Sequence, residues 1–446
     1  MISGRNNIQV LKYSFFKRIV GSSVFSDYFK IGIIQGLNYL IPLLIIPVIV
    51  RLIGKENFGL VAYSQAFITY FLLLINYSFD FTATRDLASI EEHKEKVNKL
   101  FNGVLQTKIF LFLVSSILFC IVVFSFPSFR KYSVLHVILF CSNLGWVLNQ
   151  SWFFQGLRIF RIAVFLNLIS KLVLAAGVLL FVKQQEDFIK YAMVIFVSQL
   201  LFGIISLYYL VFRYKITWQW QGVSTVGKTL RNGASIFFSN IFTNLSTTSN
   251  LFLLSILSSS MHAVANFAAG SKIIAIVVSI VITSFTISAY PYITRRLTLK
   301  ESDGFLSIQM SAWAALFIGI LVSGLLFLTS EKVMLTIYGN EFKDAVTSYR
   351  ILCFIPIPLF LNNVLSVGGM LNLKMDKLFF RLTAFSSSLS IALNVLLASH
   401  YGDKGTATAW LVTEIFISIV CFFIVSKKVK LFRWSGLKGF LRLYNI

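Results

Sequence analysis

Apolar runs of about twenty residues recur from Ile31 to Val425, and polar residues gather in the short stretches between them. A run of that length is what an α-helix needs to cross the hydrocarbon core of a bilayer. Twelve spans are read, at about 31–53, 57–79, 104–126, 133–154, 160–182, 190–212, 234–256, 263–290, 308–330, 349–371, 378–399 and 405–426. The longest connections, roughly 80–103, 213–233 and 291–307, fall on one side of the membrane, and none can fold alone. A faint repeat adds internal symmetry. At an offset of 204 residues, Gly59-Leu-Val-Ala-Tyr63-Ser64-Gln65-Ala66 falls on Ala263-Val-Ala-Asn-Phe267-Ala268-Ala269-Gly270. Each segment opens the second span of a six-span half after a tight turn. The pattern predicts an all-α polytopic membrane protein with about twelve transmembrane helices, in two pseudo-symmetric six-helix bundles around a central cavity. The expected division is a basic N-terminal segment (1–30), a first lobe (31–212), an inter-lobe loop (213–233), a second lobe (234–426) and a basic tail (427–446).

Composition narrows the class. The chain is 57% hydrophobic and 13% charged, about half the charge of an ordinary soluble domain, which excludes a soluble enzyme or a disulfide-stapled secreted scaffold. The net charge of +23 invites a nucleic-acid reading, but the charges sit in short loops and at the two ends rather than on one soluble face. Positive-inside topology explains them better. One side collects 28 Lys and Arg, counting Lys108 with the 80–108 segment, against ten on the other, so both termini are expected in the cytoplasm. The segment to Lys30 lacks a cleavable signal pattern, and the first span is expected to stay as a signal anchor. Residues 8–20 read as a short amphipathic helix on the anionic leaflet. Cys120, Cys141, Cys353 and Cys421 lie within apolar runs and are expected as free thiols.

Three ionisable residues remain inside apolar runs. A lysine near the centre of a span costs about 2.5–3.5 kcal/mol on insertion scales, so it needs water, a partner or a ligand. Lys171 is mid-span, about 16 Å from either end of its helix, too far to reach an interface easily. It is the leading candidate for a cavity cation that holds an anionic group. Lys272 is the second, and Glu414 is either a protonatable coupling site or the partner of Lys272. Asp80 and Arg85 close the second span as a gate or as an ordinary helix-end ion pair. Nine polar residues between Ser239 and Asn250 point to a seventh span wetted by a cavity, and Gln35, Asn38 and Tyr39 repeat this thinly in the first. No His, Cys or carboxylate set has metal-binding spacing and no P-loop is present, so neither metal nor cofactor is expected.

Several segments resemble the polysaccharide transporter family of the multidrug/oligosaccharidyl-lipid/polysaccharide exporter superfamily, nearest to O-antigen and related repeat-unit flippases. They are Ile49-Val-Arg51-Leu-Ile-Gly54-Lys-Glu-Asn-Phe58-Gly59, Ile75-Asn76-Tyr77-Ser-Phe79-Asp80 with Thr84-Arg85-Asp86-Leu87-Ala88, Gln150-Ser-Trp152-Phe-Phe-Gln-Gly156-Leu157 with Asn167-Leu-Ile-Ser170-Lys171-Leu172, and Ile337-Tyr338-Gly339-Asn-Glu341-Phe342 with Tyr349-Arg350-Ile-Leu352. Ser151 stands where such proteins often carry Pro, and Arg158 where an acidic residue is usual. The resemblance implies a flippase, not an enzyme, in the bacterial inner membrane. It implies as substrate an oligosaccharide joined by pyrophosphate to an undecaprenyl or related polyprenyl carrier, moved by alternating access and coupled to an ion gradient. Polymerase and chain-length proteins would be its neighbours, and nucleic acid would not be a partner. Pyrophosphate needs cations: Lys171 and Lys272 in the cavity, with Arg85 and Arg295 at the cytoplasmic mouth, and Asp80 and Glu414 for gating or coupling. A multidrug exporter of the same superfamily would want acidic cavity residues, and a membrane enzyme of polysaccharide assembly would want a long outer loop.

Overall fold

A computed structural model describes residues 23–258, 260–429 and 431; the 8–20 segment and most of the tail lie outside them. The described residues hold helices and turns and no strand. In chain order the main helices are α1 (Ser23–Asn76), α2 (Thr82–Ile90), α3 (Lys94–Ser125), α4 (Ser133–Cys141), α5 (Asn143–Leu148), α6 (Ser151–Gly156), α7 (Phe160–Phe181), α8 (Phe188–Tyr214) and α9 (Val223–Leu257). The second half continues with α10 (Met261–Leu299), α11 (Glu301–Leu328), α12 (Ser330–Tyr338), α13 (Ala345–Leu352), α14 (Pro356–Asn363, running into a π-helical stretch Val364–Leu371) and α15 (Asp376–Val429).

Eight helical segments are long and apolar enough to cross a membrane. Two of them, in α1 and α15, belong to helices of 54 residues that would run about 80 Å if straight, against a hydrocarbon core of about 30 Å. Each is broken by one glycine outside helical geometry, Gly54 at φ 78° and Gly402 at φ 56°, a region open to glycine at little cost. Each therefore supplies two crossings. The broken pair α4–α5 and the polar helix α9 complete twelve.

The repeat acquires a physical meaning here. The Gly54 turn and the break between α9 and α10, which follows Leu257, lie one repeat offset apart, and the segments that follow them pack on each other. A Cβ at Gly59 would lie 2.3 Å from the Met261 carbonyl oxygen and 3.2 Å from the Ala265 Cβ. Small residues at this spot let two helix backbones meet across the pseudo-two-fold.

Buried apolar side chains form three groups. One, around the Gly54 turn, draws on both halves, from Ile45–Phe71 and Leu254–Ile274 among others. At the opposite end each half keeps its own: Ile75 to Ile216 in the first, Ile293 to Leu431 in the second. The halves thus share one apolar core at the Gly54 end and keep distinct cores at the other, where they still meet along α9: Tyr77 stacks on Phe237 (ring centres 4.3 Å) and donates to the Leu230 carbonyl at 2.9 Å.

Two sequence expectations change. The long connections are largely helical, because α3 already starts at Lys94, α9 at Val223 and α11 at Glu301, so helices project past the apolar runs. Lys108 is not a loop charge. It is buried in α3 and its Nζ donates to the carbonyls of Trp146 (3.2 Å) and Asn149 (3.0 Å), where α5 breaks before α6.

Candidate functional site

The shared core at the Gly54 end is fastened by polar contacts between the halves. Arg51 donates to the Thr336 carbonyl at 3.2 Å, and Lys55 to the Glu341 carbonyl at 2.7 Å. Lys55 is only 7% exposed and sits 5.0 Å from the Phe342 ring centre. Phe58 packs against the Tyr338–Phe342 pair, with ring centres 6.2 and 6.3 Å away. The Tyr338 hydroxyl donates to the Ala269 carbonyl at 2.9 Å. Gly339, at φ 88°, turns the chain so that the Glu341 carbonyl faces Lys55.

The candidate cations fall at different places. Lys272 meets this seal: its Nζ is 4.6 Å from the Phe58 ring centre, the geometry of a cation–π contact. Lys171 is half-buried midway along α7 and has neither hydrogen bond nor ion pair among the described residues. Ten residues separate it from Phe181 and eleven separate Lys272 from Met261, so both ammonium-bearing residues lie about 15 Å from the Gly54 end. Arg85 and Arg295 are exposed at the opposite end, far from either lysine along the helices. Arg85 pairs with its neighbour Asp86 at 3.3 Å, and Asp80 accepts from the Ser151 hydroxyl at 3.5 Å, so Asp80 and Arg85 are not each other's partner.

Glu414 is buried in the second half. It accepts from Asn362 at 2.7 Å and from the Trp410 indole at 3.3 Å, while Ser418 holds the other face of the Asn362 amide at 2.5 Å. The pairing of Glu414 with Lys272 is therefore replaced by an amide, an indole and a hydroxyl. Within the membrane-spanning runs, Lys171 has no hydrogen-bond or ion-pair partner among the described residues.

The wet seventh span is seen only in part, because the side chains of Ser239, Thr243 and Ser246 to Thr248 lie outside the described residues. Asn250 is spent on packing: it accepts from Asn394 at 2.7 Å in a fully buried cluster. Asn38 likewise donates to the Val164 carbonyl of α7 at 3.2 Å, and the side chains of Gln35 and Tyr39 lie outside the described residues. Cavities along α1 include two that are lined by described residues. One of about 180 Å³ lies between the halves, walled by Tyr70, Leu73 and Leu74 of α1 and by Phe237 and Ile241 of α9. The other, about 300 Å³, is inside the first half and is lined by Gln65, Thr69, Asn143, Trp146 and Gln199 among others. Among the described residues no cluster of His, Cys, Asp and Glu suits a metal ion. The four cysteines are free, with Cys353 and Cys421 buried, Cys141 half-buried and Cys120 exposed.

Sequence reasoning missed Arg51 and Lys55 as inter-half fasteners, although both stand in a segment quoted above. The quoted segments prove to be contacts. Arg51 to Gly59 meets Tyr338 to Phe342 at one end. Thr84 donates to the Trp152 carbonyl at 3.1 Å and Leu87 covers Gly156 at the other. Ser151, in the place of the usual Pro, supplies the bond to Asp80, and Arg158 takes a left-handed φ of 59°.

Comparison with known proteins agrees with this architecture. The model of a family described as "Polysaccharide biosynthesis protein" matches residues 24–297. The chain is 26% identical over 400 residues to the "Putative O-antigen transporter" of Escherichia coli (strain K12), covering 90% of this chain and 96% of that one. It is 25% identical over 390 residues to the protein of the same description from Shigella dysenteriae, covering 86% and 96%. Among solved structures, an inward-facing multidrug resistance MATE family transporter of the MOP superfamily superposes with TM-score 0.70 at 13% identity, covering 87% of this chain and 94% of that one. The lipid II flippase MurJ in an inward closed conformation also gives TM-score 0.70, at 14% identity and 94% and 91% coverage. An outward-facing MATE structure gives 0.60 at 14% identity, covering 90% and 93%.

Proposed function

The chain belongs to the polysaccharide biosynthesis protein family, and we propose that it is a flippase for oligosaccharide repeat units, O-antigen or a similar surface polysaccharide, carried on polyprenyl pyrophosphate. The observation that carries the reading is the arrangement of the cores: one joined core at the Gly54 end and two separate ones at the other. A molecule built this way opens toward one side of the membrane and reverses by parting the seal. The fasteners suit that task. They are a few side chain to carbonyl bonds and ring contacts, each contributing about 0.5–3 kcal/mol, so they can be exchanged for contacts at the opposite end.

Orientation follows from charge. With Lys108 removed from the loop count, the segments at the end bearing Arg85 and Arg295, counted with the basic N-terminal segment and tail, still hold most of the Lys and Arg, and the positive-inside rule supports a cytoplasmic setting for that end and for both termini. In this reading the end away from the Gly54 seal opens to the cytoplasm, where the substrate is made. Arg85 and Arg295 line its mouth. Lys171 holds the pyrophosphate midway, where a cation without a protein partner is otherwise costly. Lys272 joins it when Phe58 leaves on opening the seal. The sugars travel in the space between the halves while the polyprenyl tail stays in lipid. Glu414, held by Asn362, is the proposed site of ion coupling, and Asp80 with Ser151 belongs to the cytoplasmic gate. Polymerase and chain-length proteins act on the product after it crosses.

Deleting the gene in its host and examining polysaccharide and lipid-linked glycan tests the reading. Loss of surface polymer, with complete repeat units trapped on the cytoplasmic leaflet, is expected. Complete units gathered on the outer leaflet would point to a polymerising or ligating enzyme instead. Unchanged polymer with raised drug sensitivity would point to a multidrug exporter.

A further inference from the structure

Between the two halves, residues 216–221 run as an extended segment along α3. Asn98, Asn102 and Gln106 stand one helical turn apart on α3 and grip alternate residues of that segment. The Asn98 carbonyl oxygen accepts from the Thr217 amide (3.0 Å), that of Asn102 from the Gln219 amide (3.2 Å) and that of Gln106 from the Gln221 amide (3.0 Å). Their amide nitrogens give back: Asn102 to the Thr217 carbonyl (2.9 Å) and Gln106 to the Gln219 carbonyl (2.7 Å). The register works because two extended residues span about 6.6 Å and four helical residues about 6.0 Å. Three carboxamides thus act as the neighbouring strand of a ladder.

Alternation then decides what faces outward. With 217, 219 and 221 bound to α3, Trp218 and Trp220 point away from it and are 60% and 68% exposed. Their level in the membrane follows from the helices beside them. The span of α8 ends at Tyr214 with Tyr208 and Phe212 exposed on its last turns, and Arg213 and Lys215 are exposed next to them. On α3 the exposed apolar surface starts at Ile109 and Phe110, three residues beyond Gln106, or about 4.5 Å. The Gln221 end of the ladder therefore abuts the apolar belt, and the Thr217 end lies about 12 Å further out.

We propose that residues 216–221 are a membrane-interface anchor that seats Trp218 and Trp220 at the boundary between phospholipid headgroups and acyl chains, with Arg213 and Lys215 toward lipid phosphates. An indole has an apolar ring and a polar N–H, and it settles at that boundary. The anchor also fixes where the second half begins. Gly222, at φ 78°, follows the ladder directly and α9 starts at Val223, so one glycine separates the ladder from the second half.

The test uses the full chain in phospholipid vesicles, as wild type and as Trp218→Phe, Trp220→Phe and the double variant. Tryptophan emission is quenched by lipids brominated at shallow or deep acyl positions and, separately, by aqueous acrylamide. The emission lost in the double variant should be quenched several-fold more by shallow bromolipid than by acrylamide, and the Trp220 part more than the Trp218 part. Ready quenching by acrylamide with none by bromolipid would overturn the anchor and place the segment in water. Resistance to both quenchers would overturn it in favour of a protein partner covering the pair. Gln106→Leu, which removes the rung nearest the belt, should turn Trp220 accessible to acrylamide at unchanged protein level; unchanged quenching would show that the ladder does not hold the anchor.

Discussion

Lys108 and Lys171 both stand inside apolar helices, and the structure gives them opposite circumstances. Lys108 caps two carbonyls freed where α5 stops, so its charge is spent on the fold. Lys171 has no such use among the described residues. Lys108→Met should leave two buried carbonyls short of a donor and lower stability by about 1–3 kcal/mol, seen as reduced protein level and an earlier thermal transition in detergent. Lys171→Ala should do the reverse: polymer export falls while protein level and thermal transition stay. Lys171→Arg should keep part of the export, and export equal to wild type for both Lys171→Ala and Lys171→Glu would remove Lys171 from the substrate path. From sequence alone both lysines were visible but their difference was not, because Lys108 stands at the edge of its run and its partners lie 38 and 41 residues away. Glu414 was legible as an intramembrane carboxylate, whereas Asn362, which holds it, looked like any helical polar residue. Glu414→Gln keeps an oxygen for Asn362 but turns an amide nitrogen to the Trp410 indole, so it should lower the thermal transition slightly, keep protein level and abolish the dependence of export on the ion gradient, measured with a gradient-collapsing ionophore.

Helices were read well wherever the bilayer alone set their length. The twelve crossings match the apolar runs because each run had to satisfy its backbone internally. What lay beyond the apolar belt was read poorly. The Asn98, Asn102 and Gln106 spacing looks like a solvated helix face until residues 216–221 are laid upon it. At the Gly54 end the two halves touch through glycine and alanine, and Gly59→Leu should force them apart, since even a Cβ would fall 2.3 Å from the Met261 oxygen. That variant should reach the membrane in normal amount and export little. The seal itself can be locked. In a background lacking Cys120, Cys141, Cys353 and Cys421, cysteines at Lys55 and Glu341 bridged by a bis-methanethiosulfonate linker, which spans the reach of the lost lysine side chain, should stop export, and reductant should restore it. Export that continues with the bridge closed would mean the Gly54 end never opens.

Across the whole molecule, the faint offset of 204 residues corresponds to the contact about which the halves are related. A weak pattern sufficed there because both repeats must be small at the same surface. The closed end was not legible, since no single residue reveals which side chains of one half meet the other; Lys55 reads as an outer-loop charge until Glu341 is placed beside it. In the proposed function the halves exchange which end is joined and carry a lipid-linked oligosaccharide as they do so. Reconstitution measures it directly: purified protein in vesicles containing polyprenyl-pyrophosphate-linked oligosaccharide, with a membrane-impermeant lectin reading the glycan on the outer leaflet. With an ion gradient applied, inner-leaflet glycan should become accessible at a rate that the Lys55–Glu341 cross-link abolishes and reductant restores. Inner-leaflet glycan that stays hidden from the lectin, with the protein folded and the gradient intact, would contradict it.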